Sequence, residues 1–370
     1  LYAELGVASE PVNYATTFID DAGAPYFRWR NLRWRDWSLP YVLPQDLAPA
    51  RSRRILGGAL RFNQLVRAAL AHGDLQGLTL GAFVAEHRLA PDYVHGLLLP
   101  TLATIATCTL QDALQMPAEV VAGYLAAGLT RQSVRRAVQG ADDAAVRLQA
   151  GITQVVCQAG VQGVRQVPGS VQVLRSSGAE RFDHVVLATQ ANQALALWQD
   201  APAADAAALA AFRYRELDVL VHRDTRFMPA RRSDWSPVNA RVSPALDRPE
   251  TTIWVNAVQP ALRRAGLVLQ TVHPQRAPRE QTVIAHTRFE RPLVDAGSQR
   301  AVAQLQALQA QPGRRVWLCG SYAQVGVPLL ESAVASAYDV AARVHAAGSS
   351  TSLQGEPDGG SGTSRLGGAQ

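Results

Sequence analysis

The residues best suited to binding a ligand lie near the end of the sequence. Val316–Cys319 is an apolar run, Gly320 follows it, and Pro328 begins a second apolar stretch that contains small residues. The run predicts a short buried strand, and proline fits the first turn of a helix. A helix start has unpaired N–H groups and a positive dipole end, so residues 328–333 could hold an electron-rich ligand, beside a glycine that lets the backbone approach it. An ordinary strand–loop–helix unit with a small packing face is the alternative.

A second segment has the same character. Arg181–His184 is mostly polar, Val185–Leu187 is apolar, and the small or hydroxyl residues Ala188 and Thr189 follow. This pattern predicts a buried strand of a parallel sheet. Because ligands bind at the carboxyl ends of parallel strands, Ala188 and Thr189 are expected near a ligand, although such strand ends are common in α/β proteins generally.

Catalytic candidates come from the middle of the chain. Trp254 and Asn256 are separated by one residue, which in a strand would place both on one face and give a cavity an aromatic wall with a polar group. Asp224 is a carboxylate in a predicted loop and a candidate base, and Trp235 and Asn239 are further candidates. The alternatives are core positions for the tryptophans and a turn or cap role for the aspartate.

Composition excludes several classes of protein. Of the 370 residues, 48% are hydrophobic and 18% are charged, which is typical of a globular protein. No apolar run is long enough to span a membrane and no secretory signal begins the sequence, so we expect a cytoplasmic protein without an integral membrane segment. The net charge is +6, but the 36 basic residues are all arginines scattered along the chain, and nucleic-acid binding is not expected.

Neither a metal site nor a disulfide framework is expected. Cys108, Cys157 and Cys319 are far apart, and the eight histidines form no HExxH motif and no close pair. The expected partner is a small-molecule substrate, and the sequence leaves the oligomeric state open.

The elements that must position these residues follow from the order of patterns along the chain. The pattern is mostly helical to about residue 133, and short strands are then predicted at Gly151–Cys157, Val161–Val167 and Ser170–Leu174. Mixed strands and helices follow, and a Gly/Ser-rich end predicts a disordered tail. This order predicts an α/β fold, in which a parallel-sheet domain is built from discontinuous pieces and a second domain is inserted.

Taken together, the two ligand-edge segments resemble the flavin-containing amine oxidoreductases. In that superfamily a strand ending in VVxAT runs beside the dinucleotide, and a terminal FxG(S/T) segment with a following (M/L)E(G/S)AV helix lies against the flavin ring. The matching residues are Val185–Thr189, Leu318–Ser321 and Leu330–Ala337. Further segments are similar to a bacterial branch of predicted NAD/FAD-binding proteins: residues 220–235, 254–256, 273–274 and 288–289, with 79–83 and 99–117. The resemblance covers roughly residues 1–345.

The resemblance implies a fold with two domains. It is a GR-type, Rossmann-like FAD/NAD(P)-binding domain with an inserted α+β substrate domain. The FAD-binding domain would comprise residues 1–20, 134–200 and 290–346, the substrate domain residues 21–133 and 201–289, and the disordered tail residues 347–370.

The resemblance also implies which residues contact FAD. Val161 would pair its backbone with the adenine, and Ala188 and Thr189 would flank the diphosphate–ribose side. Gly320 and Ser321 would meet the ribityl–pyrophosphate part of the cofactor.

Two further residues would contact the flavin ring. Leu330 and Glu331 would lie at a helix start under the pyrimidine edge of the flavin, where the helix dipole stabilises negative charge as the flavin is reduced.

The sequence departs from the family in two respects. The family opens with a βαβ unit that carries GxGxxG and then an acidic residue for the ribose, and this sequence has no GxGxxG. We therefore expect an N-terminally truncated fragment, without the first βαβ unit and its pyrophosphate-binding helix start. Many amine oxidases also place a lysine near the flavin N5, whereas the aligned stretch here offers Asp224 and the chain has no lysine.

The expected function is therefore that of an FAD-dependent oxidoreductase of the amine-oxidase-like superfamily. A hydride would pass from a C–N or C–C unit of the substrate to the flavin. One alternative is a flavin desaturase or isomerase that acts on a lipid or isoprenoid. Another is a non-catalytic binding module with a truncated flavoprotein fold, which the absence of the first unit favours.

Overall fold

The computed structural model describes residues 1–34, 37–126 and 134–352. Its strands are β1 (Ser9–Pro11), β2 (Thr16–Ile19), β3 (Pro25–Trp34), β4 (Trp37–Tyr41), β5 (Arg135–Ala137), β6 (Val161–Val167), β7 (Ser170–Arg175), β8 (Gly178–Phe182), β9 (Val185–Leu187), β10 (Tyr214–His222), β11 (Val238–Arg241), β12 (Glu250–Trp254), β13 (Leu269–Val272), β14 (Val283–Pro292) and β15 (Val316–Leu318). Its α-helices are α1 (Ala50–His72), α2 (Leu80–Glu86), α3 (Pro91–Tyr93), α4 (Leu99–Ala106), α5 (Leu110–Gln115), α6 (Ala118–Ala126), α7 (Ala141–Gln149), α8 (Ala191–Leu197), α9 (Ala203–Ala210), α10 (Val255–Val258), α11 (Ala296–Gln309) and α12 (Leu330–Ser352).

A large mixed sheet dominates the middle of the chain, with the strand order β14-β10-β13-β12-β11-β2-β3-β4. Neighbouring strands are antiparallel except β11 and β2, which are parallel. The central strands are rich in threonine, valine and isoleucine, whose branched side chains pack well on a pleated surface. Among the described residues, no helix is both long enough and apolar enough to cross a membrane.

The pairing register assigns the residues of this sheet to its two faces. Thr252 pairs with Thr271 on one face, and Thr251 pairs with Val272 on the other, because successive side chains of a strand alternate. The hydroxyl of Thr104 in α4 lies 2.9 Å from that of Thr251. The face that carries Thr251 and Val272 is therefore the one that the helices cover, and we call it the helical face.

Helices α1–α6 form a layer on the helical face. Ile55 of α1 packs against Phe18 and Ala240 of the sheet. About two helical turns further along α1, Phe62 and Val66 enter the core of the layer itself. The same core includes apolar residues just after β14 and just before α12, so the layer joins the sheet to the end of the chain.

The strands β9 and β15 form a separate parallel pair, in register from Val185–Val316 to Leu187–Leu318. The antiparallel strands β6, β7 and β8 form a small sheet beside them. A common core joins the two, and α8, α9 and α11 contribute to it. Parallel strands with helices between them are what the apolar runs at these positions predict.

Four expectations need correction. The mostly helical pattern expected up to about residue 133 holds only from α1 onward, because β1–β4 lie between residues 9 and 41. Gly151–Cys157 is not a strand: α7 ends at Gln149, and these residues are exposed and have no partner strand. The strand predicted to carry both Trp254 and Asn256 ends at Trp254, and α10 begins at the next residue. Helix α12 continues to Ser352, into the predicted disordered tail, and residues 353–370 lie outside the described residues.

Candidate cofactor site

The parallel pair β9 and β15 brings the two predicted ligand edges together. The Cys319 N–H donates to the Leu187 carbonyl at 3.2 Å, so the residues that follow both strands lie side by side. A Cβ on Gly320 would lie 3.4 Å from the Thr189 carbonyl oxygen and 3.0 Å from the Tyr322 ring. Its φ of +149° is also one that side-chain-bearing residues rarely adopt. Both space and backbone conformation therefore require glycine at this position.

Ser336 of α12 holds this glycine in place. Its Oγ accepts a hydrogen bond from the Gly320 N–H at 2.9 Å and lies 3.0 Å from the Gly320 carbonyl oxygen and 2.8 Å from that of Ala333. The side chain is buried, with 2% exposure. From the sequence alone, Ser336 is only a small residue on an apolar helix. Its hydroxyl group among alanines and valines is the feature that could have indicated this role.

The start of α12 is exposed on the other side of the loop. Val327 and Pro328 are buried, whereas Leu330 is 69% exposed and Glu331 is also exposed. The Ser332 hydroxyl donates to the Val327 carbonyl at 3.0 Å and fixes the entry of the chain into the helix. The first N–H groups of a helix have no intrahelical acceptor, so this end carries donors and partial positive charge.

The remaining predicted cofactor residues lie on neighbouring elements. Ala188 is exposed, Thr189 and Ser321 are partly exposed, and all three follow the paired strands. Val161 begins β6 in the small sheet, with 38% exposure, and the pairing of β6 with β7 is irregular immediately after it. The structure thus brings Ala188, Thr189, Gly320 and Ser321 to one edge, while Val161 lies on a different sheet.

Asp224 is engaged within its own loop. It is 2% exposed and caps a short 3-10 turn. Its carboxylate accepts from the Arg226 side chain at 3.0 Å, from the Arg226 backbone N–H at 3.1 Å and from the Arg279 backbone N–H at 3.0 Å. The bonds from Arg226, then those from backbone N–H groups, hold its pKa well below the usual range despite burial. These contacts are those of a cap that fixes two loop segments.

Trp254 and Asn256 do not share a strand face, which corrects the expectation from their spacing. Trp254 ends β12 and Asn256 lies in the helical turn α10. The Asn256 amide donates to the carbonyls of Leu262 at 2.9 Å and Gly266 at 3.0 Å, and its oxygen accepts from the Val268 N–H at 2.8 Å. Asn256 therefore closes the loop that leads to β13.

The two tryptophans pack on each other and on an arginine. Trp254 meets Trp235 edge to face at 5.7 Å, and Arg232 lies over both rings at 5.2 and 4.4 Å. Asn239 is buried and its amide donates to the Ser236 carbonyl at 2.6 Å. The Arg232 guanidinium and the Asn239 amide therefore each have a partner within the protein.

A half-buried apolar strip lies on the helical face of the large sheet. Val219 and Val221 of β10, Ile253 of β12 and Val272 of β13 are all partly exposed on this face. The opposite face at the same strands is buried, and His222 bonds to the Thr271 hydroxyl there at 2.8 Å. An apolar surface that is only partly covered is the usual lining of a small-molecule site.

No metal centre accompanies these features within the described ranges, where no group of three His, Cys, Asp or Glu side chains could hold a metal ion.

Comparison with known proteins identifies solved structures with a fold similar to that of this chain. No protein-family model and no curated protein sequence matches the chain. Solved structures do. Wild-type putrescine oxidase bound to putrescine is 12% identical with a TM-score of 0.61, over 93% of this chain and 84% of that one. Cyclohexylamine oxidase from Brevibacterium oxydans IH-35A is 13% identical with a TM-score of 0.60, over 93% and 84%.

A CLA-producing fatty acid isomerase from P. acnes has the same fold, with 13% identity and a TM-score of 0.58 over 92% of this chain and 82% of that one. At such identities the likeness concerns the fold and not the reaction. The predicted α/β class is confirmed: the chain has the fold of the flavin amine-oxidase-like proteins.

Proposed function

We propose that the chain is an FAD-dependent oxidoreductase of the amine-oxidase-like type. The observation that carries the proposal is the bare backbone at Gly320, held against the Thr189 carbonyl and locked by Ser336 at the ends of two parallel strands. The exposed first turn of α12 lies across the intervening loop.

The residues present fit a flavin. The strand ends give an extended polar chain a surface without side-chain obstruction, since Gly320 has no Cβ and Ala188 has only a methyl group. The first turn of α12 gives N–H donors for the oxygens of a flavin pyrimidine edge. The exposed apolar side chain of Leu330 suits contact with an uncharged ring.

In this proposal different residues contact different parts of FAD. Gly320 and Ser321 contact the ribityl–pyrophosphate part, Ala188 and Thr189 the diphosphate–ribose side, and Val161 the adenine.

Leu330 and Glu331 complete the set at the flavin ring. The dipole of α12 stabilises negative charge at the pyrimidine edge. A flavin held by these residues would supply two-electron chemistry, as the acceptor of a hydride from a substrate C–H bond.

The test is FAD binding by the purified chain and by two glycine variants. Gly320→Ala places a Cβ at 3.0 Å from a buried ring, whereas Gly178→Ala is a matched control, since its φ is +130° and nothing lies within 4 Å of its Cβ. We expect quenching of flavin fluorescence on titration with the wild type and with Gly178→Ala, and affinity at least tenfold weaker with Gly320→Ala. Equal affinity for all three chains would contradict the assignment.

A second candidate is a flavin isomerase or desaturase that acts on a lipid or isoprenoid. The half-buried apolar strip on the helical face favours it, because it offers a long apolar substrate a surface to lie on. Anaerobic reduction of the bound flavin by primary amines supports the first candidate, whereas reduction by fatty acids, or a shift of their double bonds without net flavin reduction, supports the second. A chain that binds FAD but acts on neither panel supports the non-catalytic binding module.

A further inference from the structure

An arginine without a counter-ion lies at the end of the apolar strip. Arg291 of β14 is partly buried, its Nε is buried without a hydrogen-bond partner, and one Nη donates to the Pro328 carbonyl at 3.1 Å. Burial lowers its pKa. Among the residues that the structure describes, no carboxylate forms an ion pair with it.

This environment differs from that of other buried arginines in the protein. Three of them have carboxylate partners: Arg28 with Asp234 at 2.8 Å, Arg241 with Glu250 at 3.1 Å, and Arg314 with Asp205 at 2.6 Å. Removing a guanidinium from water without a counter-ion is costly. A fold that does so at Arg291 is suited to receiving an anion there.

The arginine opposite Arg291 on the neighbouring strand has a carboxylate partner of its own. Arg291 pairs with Arg215 across β14 and β10, so the two side chains lie on the same face. Arg215 is neutralised by Asp112 of α5, because one Nη donates to the carboxylate at 3.0 Å and the Nε lies 2.8 Å from its other oxygen. Among the described residues, Asp112 is the one carboxylate that pairs with either Arg215 or Arg291. The two arginines together therefore retain a net positive charge.

The surroundings of Arg291 define the rest of the ligand. Register places Arg291 on the same face as Leu217, Val219 and Val221 of β10, which is the helical face with its half-buried strip. Phe289 also lies on this face and is exposed. The Pro328 carbonyl that Arg291 contacts lies two residues before the exposed start of α12. A cation thus stands where an apolar strip meets the proposed flavin ring.

We propose that Arg291 binds the carboxylate of a substrate whose apolar chain lies along the half-buried strip at Val219 and Val221. The substrate class is therefore a carboxylate joined to an apolar chain. This inference rests on the proposed function, because it places the substrate beside the flavin. A charge-assisted contact to a carboxylate suits this guanidinium, since its one hydrogen bond is to the Pro328 carbonyl and its Nε has no partner.

The test is the binding of octanoate and of 1-octanol, measured by isothermal titration calorimetry on the full chain with FAD added. Octanoate should bind at least tenfold more tightly than octanol. Arg291→Gln should weaken octanoate by about 10- to 100-fold and leave octanol unchanged, because a hydrogen bond to a charged group is lost. Arg291→Lys keeps the charge and should lose less.

Arg288→Gln is the matched control. Arg288 is on the same strand but on the opposite face, exposed and 3.2 Å from Asp218, so octanoate affinity should not change. The proposal is overturned if the wild type binds octanol as well as octanoate, if it binds no octanoate, or if Arg291→Gln binds octanoate like the wild type. A change in FAD affinity alone in Arg291→Gln would also overturn it, since the guanidinium would then serve the flavin. If Arg291→Gln does not fold, the octanoate-to-octanol ratio and Arg291→Lys decide.

The visible spectrum separates this test from that of the proposed function. A chain that takes no FAD but loses octanoate binding in Arg291→Gln contradicts the flavin assignment and keeps the carboxylate site.

Discussion

Replacing Ser336 with alanine should weaken both the fold and the binding of FAD. The change removes the acceptor of the Gly320 N–H and leaves that donor without a partner in a partly buried loop. Such a loss costs about 1–3 kcal/mol. Part of this penalty is relieved if the loop leaves its present conformation. A relief of about 1.4 kcal/mol raises the ratio of the displaced to the present loop conformation about tenfold, and the FAD affinity falls in proportion to the fraction of chains that leave the present conformation.

Ser52→Ala is the control for this prediction. Ser52 is also a buried helical serine, with 1% exposure, and its hydroxyl donates to the Tyr26 carbonyl at 2.7 Å in the helical layer. Its loss should cost a similar free energy of unfolding without affecting FAD. Urea denaturation measures the first quantity for both variants, and flavin fluorescence quenching the second. If the two variants lose stability equally and bind FAD equally, Ser336 serves packing alone and the reasoning about the Gly320 loop is wrong.

Two further predictions concern buried titratable groups. Asp224→Asn should destabilise the fold by about 1–3 kcal/mol at pH 7, because charge-assisted bonds to Arg226 are lost; since the folded-state pKa of Asp224 is depressed, the difference from the wild type in urea denaturation should shrink as the pH falls below about 4. A lower turnover in this variant with unchanged stability would instead support Asp224 as a catalytic residue. Burial lowers the pKa of His222 to about 4, so the unfolded chain binds more protons than the folded one, and stability should fall as the pH decreases from about 6.5 to 4. His222→Gln should reduce that slope but not remove it, because burial lowers the pKa of His273 to about 4 as well; an unchanged slope in the variant would contradict the assignment.

The part of the site that the sequence predicts well is local. Val185–Leu187 and Val316–Leu318 are short apolar runs followed by small residues, and this pattern specifies a strand end whatever the rest of the chain does. Because parallel strands end at the same edge, Thr189 and Gly320 could be expected close together, and they are. The positive φ at Gly320 is permitted by the residue type, but glycine adopts negative φ as readily, so the sequence alone does not predict it.

What the sequence does not predict depends on distant partners. The spacing of Trp254 and Asn256 is equally compatible with a strand and with a strand end, and carbonyls up to ten residues further on decide in favour of a turn. The sequence does not predict the role of Arg291 either, because an arginine on a polar strand is ordinary. Only the tertiary structure shows that Asp112 pairs with Arg215 and leaves Arg291 without a counter-ion.

The most direct test of the account is a crystal structure of this chain grown with FAD. The account predicts that the cofactor passes Thr189 and Gly320 without displacing Ser336, and that the pyrimidine edge of the flavin meets the first turn of α12 near Leu330 and Glu331. A flavin bound elsewhere, or density for FAD against a rearranged Gly320 loop, would contradict the central claim that this strand–glycine–helix segment forms the cofactor site.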